Sequence, residues 1–161
     1  MKRLLVFATV VALTLVASGL LLAQSNPNVG TWKLNSAKSK SSSAGLILRS
    51  GTRTVTAQGD GAKYSYEGIA ADGSHVGYSF TTNYDGKYSA ASGVGMPGGA
   101  DTYAVKRVDP STFVGTGKKA GKMVGTNTTV ISKDGKVATI TGKGTDEQGK
   151  PTSTTTVWGK Q

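Results

Sequence analysis

Asp-Gly pairs stand at residues 60–61, 72–73, 85–86 and 134–135, with Gln148-Gly149 in the same rhythm, and short Val-, Thr- and Tyr-rich runs fill the intervals. Glycine supplies the positive φ that tight hairpin turns demand, and aspartate tolerates that region better than most residues. A chain that reverses this often has no length for amphipathic helices and reads as an antiparallel meander. Ten strands are expected, near 29–35, 50–57, 62–69, 74–82, 84–91, 101–108, 112–118, 122–132, 136–142 and 152–159. The longest non-strand stretch, Ser36 to Arg49, is Lys/Ser-rich and ends in Leu46-Ile47-Leu48, which fits a short helical turn across a barrel end or a strand entry. The segment Ser92 to Ala100 holds four glycines and Pro97, a composition that marks a mobile connection.

Side-chain alternation assigns faces. Trp32 and Leu34 share one side of the first strand, with Thr31, Lys33 and Asn35 on the other. A three-residue loop Ala71-Asp72-Gly73, with Gly73 left-handed, sets Tyr66 opposite Tyr78 and Tyr64 opposite Phe80. That register gathers four aromatics on one face, whereas a two-residue turn splits them across both, so burial selects the former. An open meander leaves two unpaired edges, and closure into a barrel of about 8–10 strands removes them. The outward positions read Thr, Ser and Lys rather than the apolar band of a membrane-spanning barrel.

Ahead of the strands, Lys2 and Arg3 precede an apolar run from Leu4 to Leu22, closed by the small residue Ala23. These are the three parts of a secretory signal, so residues 1–23 read as a signal peptide and 24–161 as one β-barrel domain, exported to the periplasm or beyond the cell. The rival is a retained anchor, since about 18 apolar residues span a bilayer; Thr9, Thr14, Ser18 and Gly19 interrupt the run and favour cleavage, leaving no membrane span. Without Lys2 and Arg3 the 19 basic residues become 17 against nine acidic ones, a net charge of +8. That bias favours anionic partners, an envelope polymer above all. The lysines are mostly scattered singly, so a solvated surface is the preferred reading; nucleic acid is not expected, and a monomer is favoured. The chain has no cysteine, so its core must hold it without disulfides.

Catalytic chemistry finds little support. The single histidine, His75, follows an Asp-Gly turn, where exposure is expected, and no nucleophile sits beside it in sequence. The acidic residues fall in turns without metal-ligand clustering, so neither metal nor cofactor is implied. Gly144 to Lys150 mimics the spacing of a phosphate-binding loop, but Pro151 replaces the magnesium-ligating hydroxyl residue and Asp146 and Glu147 would repel phosphate.

The run Gly30-Thr31-Trp32-Lys33-Leu34-Asn35, followed by Ala37-Lys38-Ser39-Lys40, the Asp-Gly hairpins and a terminal Lys160-Gln161, resembles small exported bacterial lipocalin-like proteins of the calycin superfamily. The resemblance covers nearly all of Val29 to Gln161 and implies a calycin-like barrel holding a small apolar or amphipathic ligand. It also implies that Trp32 closes the barrel base beneath an arginine of the last strand. The chain departs there, having no arginine after Arg107, and Lys160 is the available substitute. The expected lining is Trp32, Tyr64, Tyr66, Tyr78, Phe80 and Tyr103, with Arg53 or Arg107 as anion anchor. Alternation points both arginines inward; the alternative, which is preferred, is that both sit at strand ends and reach solvent from the rim, pairing with Glu67 or Asp101. Trp32 is expected to be critical for stability, and Trp158, three residues from the terminus, more tolerant.

Overall fold

The computed structural model describes residues 26–42, 48–145 and 149–161. The leader over residues 1–23, Leu46 and Ile47, and the loop tip at Asp146 to Gln148 lie outside the described residues.

Ten antiparallel strands form a closed up-and-down barrel: β1 (Gly30–Ser41), β2 (Leu48–Gln58), β3 (Gly61–Ala70), β4 (His75–Thr82), β5 (Asp85–Val94), β6 (Thr102–Arg107), β7 (Thr112–Lys119), β8 (Lys122–Ile131), β9 (Val137–Thr145) and β10 (Pro151–Lys160). Each strand pairs with the next, and β10 returns to β1 with Trp32 opposite Lys160. Closure leaves no edge strand, the physical reason a meander of this length curls on itself.

The aromatic register follows the three-residue loop. Gly73 has φ 89°, and the Ala70 amide donates to the Ser74 carbonyl at 2.9 Å. Tyr64 therefore lies opposite Phe80 and Tyr66 opposite Tyr78. Two other reversals differ from the sequence expectation. The β2–β3 turn is Gly59-Asp60, with Gln58 paired to Gly61, so Gly61 is already in the strand. Asp85-Gly86 makes no hairpin; the chain reverses at Asn83-Tyr84, and Gly86 (φ 80°) sits in a bulge where β5 slips against β6 between Asp85 and Tyr88.

The stretch read as non-strand after Asn35 is the continuation of β1. Pairing to β10 jumps from Asn35–Val157 to Lys40–Thr155, so residues 36–39 form a bulge. The Ser39 hydroxyl donates to the Asn35 carbonyl at 2.8 Å and accepts the Val157 amide at 3.1 Å, replacing the lost ladder bond. Leu48 opens β2, which settles the strand-entry alternative for that residue.

The barrel interior is filled by its own side chains. Trp32, Val55, Tyr64, Phe80, Phe113, Ile131 and Trp158 are buried. Trp158 is 2% exposed, contrary to the expectation of a tolerant terminal residue. Its ring packs over Gly51, where a Cβ would stand 3.1 Å from it. Gly115 likewise makes room for Tyr103, whose hydroxyl would lie 2.7 Å from a Cβ there.

At the end opposite the N-terminal segment, the Gly-rich stretch is a packed element instead of a mobile connection. Ser92 to Val94 still pair with β4, Pro97–Gly99 forms a 3₁₀ turn, and the Gly99 amide donates to the Met96 carbonyl at 2.8 Å. Met96 and Ala100 are buried in the core cluster, so two apolar side chains tie the turn down despite its glycines.

Candidate functional site: the barrel interior

The first described residues, Asn26 to Val29, fold back under the barrel and plug its base. Asn28 is 1% exposed, and its carbonyl accepts the Trp32 indole N–H at 3.0 Å. Its side-chain amide donates to the Tyr64 hydroxyl at 2.7 Å and accepts from Arg53 Nη2. Tyr64 in turn donates to Tyr84 at 3.2 Å, which also receives the Asn26 amide at 2.7 Å. The base is thus a hydrogen-bonded cluster of asparagines and phenols around one guanidinium.

Arg53 is fully buried. β2 places it opposite Trp32 and Tyr66, and its guanidinium carbon lies 5.5, 5.6 and 6.0 Å from the rings of Trp32, Tyr64 and Tyr66. Its Nε and Nη1 have no hydrogen-bond partner among the described residues. This overturns the rim reading for Arg53: alternation did point it inward, and its partners are Asn28 and three ring faces. Glu67 instead pairs with exposed His75 at 3.0 Å, and Asp101 accepts the Ala120 amide at 2.7 Å. Ring faces attract a cation by their quadrupole but do not neutralise it.

Arg107 does sit at the rim. As the last residue of β6 it turns to the following loop, donating from Nη2 to the Pro110 carbonyl at 2.8 Å and from Nε to the Asp109 carbonyl at 3.2 Å. Its acceptors are loop carbonyls, so the expected partners Glu67 and Asp101 are corrected, and its guanidinium carbon lies 5.6 Å from the ring of buried Phe113. Lys160 takes the place beside Trp32 that the family resemblance gives to an arginine. Its ammonium lies 5.1 Å from the indole and donates to the Pro27 carbonyl at 3.1 Å. Trp32 is thereby contacted by two cations, one from β2 and one from β10.

Above the base, the rings form two stacks. Tyr64 lies on Phe80 at 4.9 Å and Phe80 against Tyr103 at 4.7 Å; Tyr66 lies on Tyr78 at 4.6 Å. Burial pushes the phenols of Tyr64, Tyr78 and Tyr103 up, with neighbouring Tyr84 adding to Tyr64 and the Asn127 hydrogen bond opposing the rise at Tyr103. These five rings border an interior cavity of about 30 Å³ that also touches Met96, Pro97, Asn127 and Thr129. Trp32 and Arg53 lie outside that lining, Arg53 packing against two of the rings that form it. The cavity has room for about one water, whereas small-molecule sites commonly measure roughly 300–1,000 Å³.

Sequence reasoning missed Asn28, Tyr84, Met96 and Asn127. Asn26-Pro27-Asn28 signals a turn, but burial of that turn follows only from barrel closure. Asn127 belongs to a glycosylation-like triplet with Thr128 and Thr129, and its amide faces inward to donate to the Tyr103 hydroxyl at 2.6 Å.

No protein-family model matches the chain, and comparison with curated proteins gives no match. Among solved structures, the chain is similar to the crystal structure of zebrafish ileal bile acid-binding protein complexed with cholic acid. The two are 14% identical with a TM-score of 0.49, over 84% of this chain and 99% of that one. A likeness of that degree carries no argument about what this chain binds.

Proposed function

We propose that this is an exported, non-enzymatic, calycin-like barrel whose interior accepts a small amphipathic ligand, with the anionic end directed to Arg53 and the apolar part among Tyr66, Tyr78, Phe80 and Tyr103. The leader sequence supports export. The observation that carries the ligand reading is Arg53 itself: a fully buried guanidinium with two unpartnered donor nitrogens and no part in either ion pair among the described residues, His75–Glu67 and Lys87–Asp85. An uncompensated buried charge costs several kcal/mol, and an anion delivered by a ligand would offset that cost with charge-assisted hydrogen bonds. Entry requires Met96 and Pro97 to swing out and the Tyr66–Tyr78 stack to part, because the closed cavity is too small.

Native mass spectrometry before and after lipid extraction tests the reading, followed by titration with fatty acids, retinoids and polyaromatic dyes, each beside a neutral analogue. Retained or added ligand that prefers the anion in the wild type and loses that preference in Arg53→Met supports it. A ligand-free protein that takes none of the panel sinks it.

The small cavity favours a second reading: a solid barrel whose basic outer surface, net +8 without the leader, attaches to an anionic envelope polymer. Such attachment is screened over about 8 Å at physiological salt, so retention on a polyanion resin should disappear at high salt. Retention that survives high salt counts against it.

A further inference from the structure

More room exists outside the barrel than within it. On the outer face of β5, β6 and β7 lies a groove of about 270 Å³, against about 30 Å³ inside. Its origin is the β5 bulge. Between the Asp85–Lys106 and Tyr88–Ala104 pairs, β5 inserts Gly86 and Lys87 opposite the single residue Val105, and Gly86 offers no side chain to cover the sheet. The Ala104 methyl forms part of the floor and is only 5% exposed although alternation turns it outward from Tyr103 and Val105. Val108 and Val114 extend the apolar lining, and Tyr88, 41% exposed, stands as a wall.

Lys106 is the one charged residue in the groove's lining, and a second cation, Lys118, stands at its Tyr88 wall, the ammonium 4.0 Å from the ring centre. Neither lysine joins an ion pair among the described residues; Asp85, the cross-strand partner of Lys106, is engaged instead by the Lys87 ammonium at 3.5 Å and the Lys87 amide at 3.0 Å. An apolar floor between two cations matches a chain that ends in an anion. The same charges oppose a second copy of this chain, which would set lysine against lysine.

We propose that this outer groove is a binding site for a single medium-chain acyl anion, its methylenes over Ala104, Val108 and Val114 and its carboxylate between Lys106 and Lys118. The site is independent of the interior reading and of Arg53.

The test is titration of the protein with dodecanoate below its micellar concentration and with dodecanol, followed by amide and methyl chemical-shift mapping, with phosphatidylglycerol vesicles as a separate arm. Dodecanoate is expected to shift Tyr88, Ala104 and Val114. Lys106→Gln with Lys118→Gln should weaken dodecanoate about two- to thirtyfold, the range for two exposed ion pairs, and leave dodecanol unchanged. Both lysines are at the surface, so the double variant keeps the fold, which its melting curve verifies. Shifts confined to Tyr66, Tyr78 and Met96 overturn the proposal while supporting an interior ligand. Equal binding of acid and alcohol, binding of vesicles without free dodecanoate, or no binding at millimolar dodecanoate each overturns it as well.

Discussion

The indole N–H of Trp32 donates to the carbonyl of Asn28, four residues earlier, at 3.0 Å. This bond ties the plug segment to the first strand at the point where β1 and β10 close the barrel. Truncating a buried tryptophan costs about 3–5 kcal/mol, a large part of the roughly 5–15 kcal/mol that holds a domain together. Trp32→Ala is therefore expected to unfold the protein or lower its melting temperature sharply. Trp158→Ala should cost a similar amount, since that ring is equally enclosed, packed on Gly51 and edge-on to Tyr66 at 6.0 Å. Thermal melts of the two variants check both; a wild-type melt for Trp32→Ala would remove it as the base plug.

Arg53→Met should behave in the opposite sense. It replaces a buried charge by an apolar chain of similar length, a change that is often neutral or stabilising by about 1–4 kcal/mol when the charge is poorly paired. Chemical denaturation of the ligand-free protein should show equal or greater stability, together with the lost anion preference. A large loss of stability would mean that the Asn28 bond and the ring contacts outweigh desolvation.

Two glycines separate close approach from turn conformation. A Cβ at Gly61 would collide with the Thr82 carbonyl oxygen on the neighbouring strand, so Gly61→Ala should cost about 1–3 kcal/mol through overpacking. Gly135 has φ 71° in an open turn with nothing near its Cβ position. Asparagine tolerates the left-handed region, so Gly135→Asn should shift the denaturation midpoint little. Reversal of that order would contradict the β3–β4 register.

Alkali should unfold the barrel through its phenols. The folded pKa values of Tyr64, Tyr78 and Tyr103 are raised by burial above the ordinary value near 10. Their contribution is complete below that pH and is lost as pH climbs through the folded values, because only the unfolded chain releases the protons readily. Asp72, Asp85, Asp109 and Asp134 act at the other extreme. Hydrogen bonds from Ser74, Lys87, Ser111 and Ser132, respectively, lead in holding their pKa values down. What they contribute is present above the ordinary carboxylate range and is lost as pH falls through the lowered values. Melting temperature against pH should accordingly be flat through neutrality and fall above about pH 10, with Tyr64, Tyr78 and Tyr103 forming tyrosinate only as the fold is lost. Ionisation of these three phenols before unfolding would contradict their burial.

The strand pattern was legible because period-two alternation and turn residues are local signals. The Tyr64–Phe80 and Tyr66–Tyr78 pairs followed from one loop length and the condition that four rings share a face. Asn28 was not legible, since its three partners come from β1, β2 and β3 and meet only after closure. Alternation sets Arg107 beside Phe113, yet as the last residue of its strand it also bonds the next loop, which a face assignment does not reveal. Met96 hides in a glycine-rich stretch whose composition signals motion, while its own side chain supplies the anchor. The Trp158 side chain gains its enclosure from Gly51, an absence of atoms more than a hundred residues away.

Lys160 bonds the carbonyl of Pro27, 133 positions away along the chain. β10 is therefore the strand that seals β1, and without it β1 and β9 would be left as open edges. Bringing such distant segments together is slow compared with pairing neighbouring strands, so closure of β1 on β10 is expected to follow the local strand pairs. Until that seam is made, β1 and β10 offer unpaired backbone to other chains, so the contact that completes the barrel also removes its exposure to edge-to-edge association.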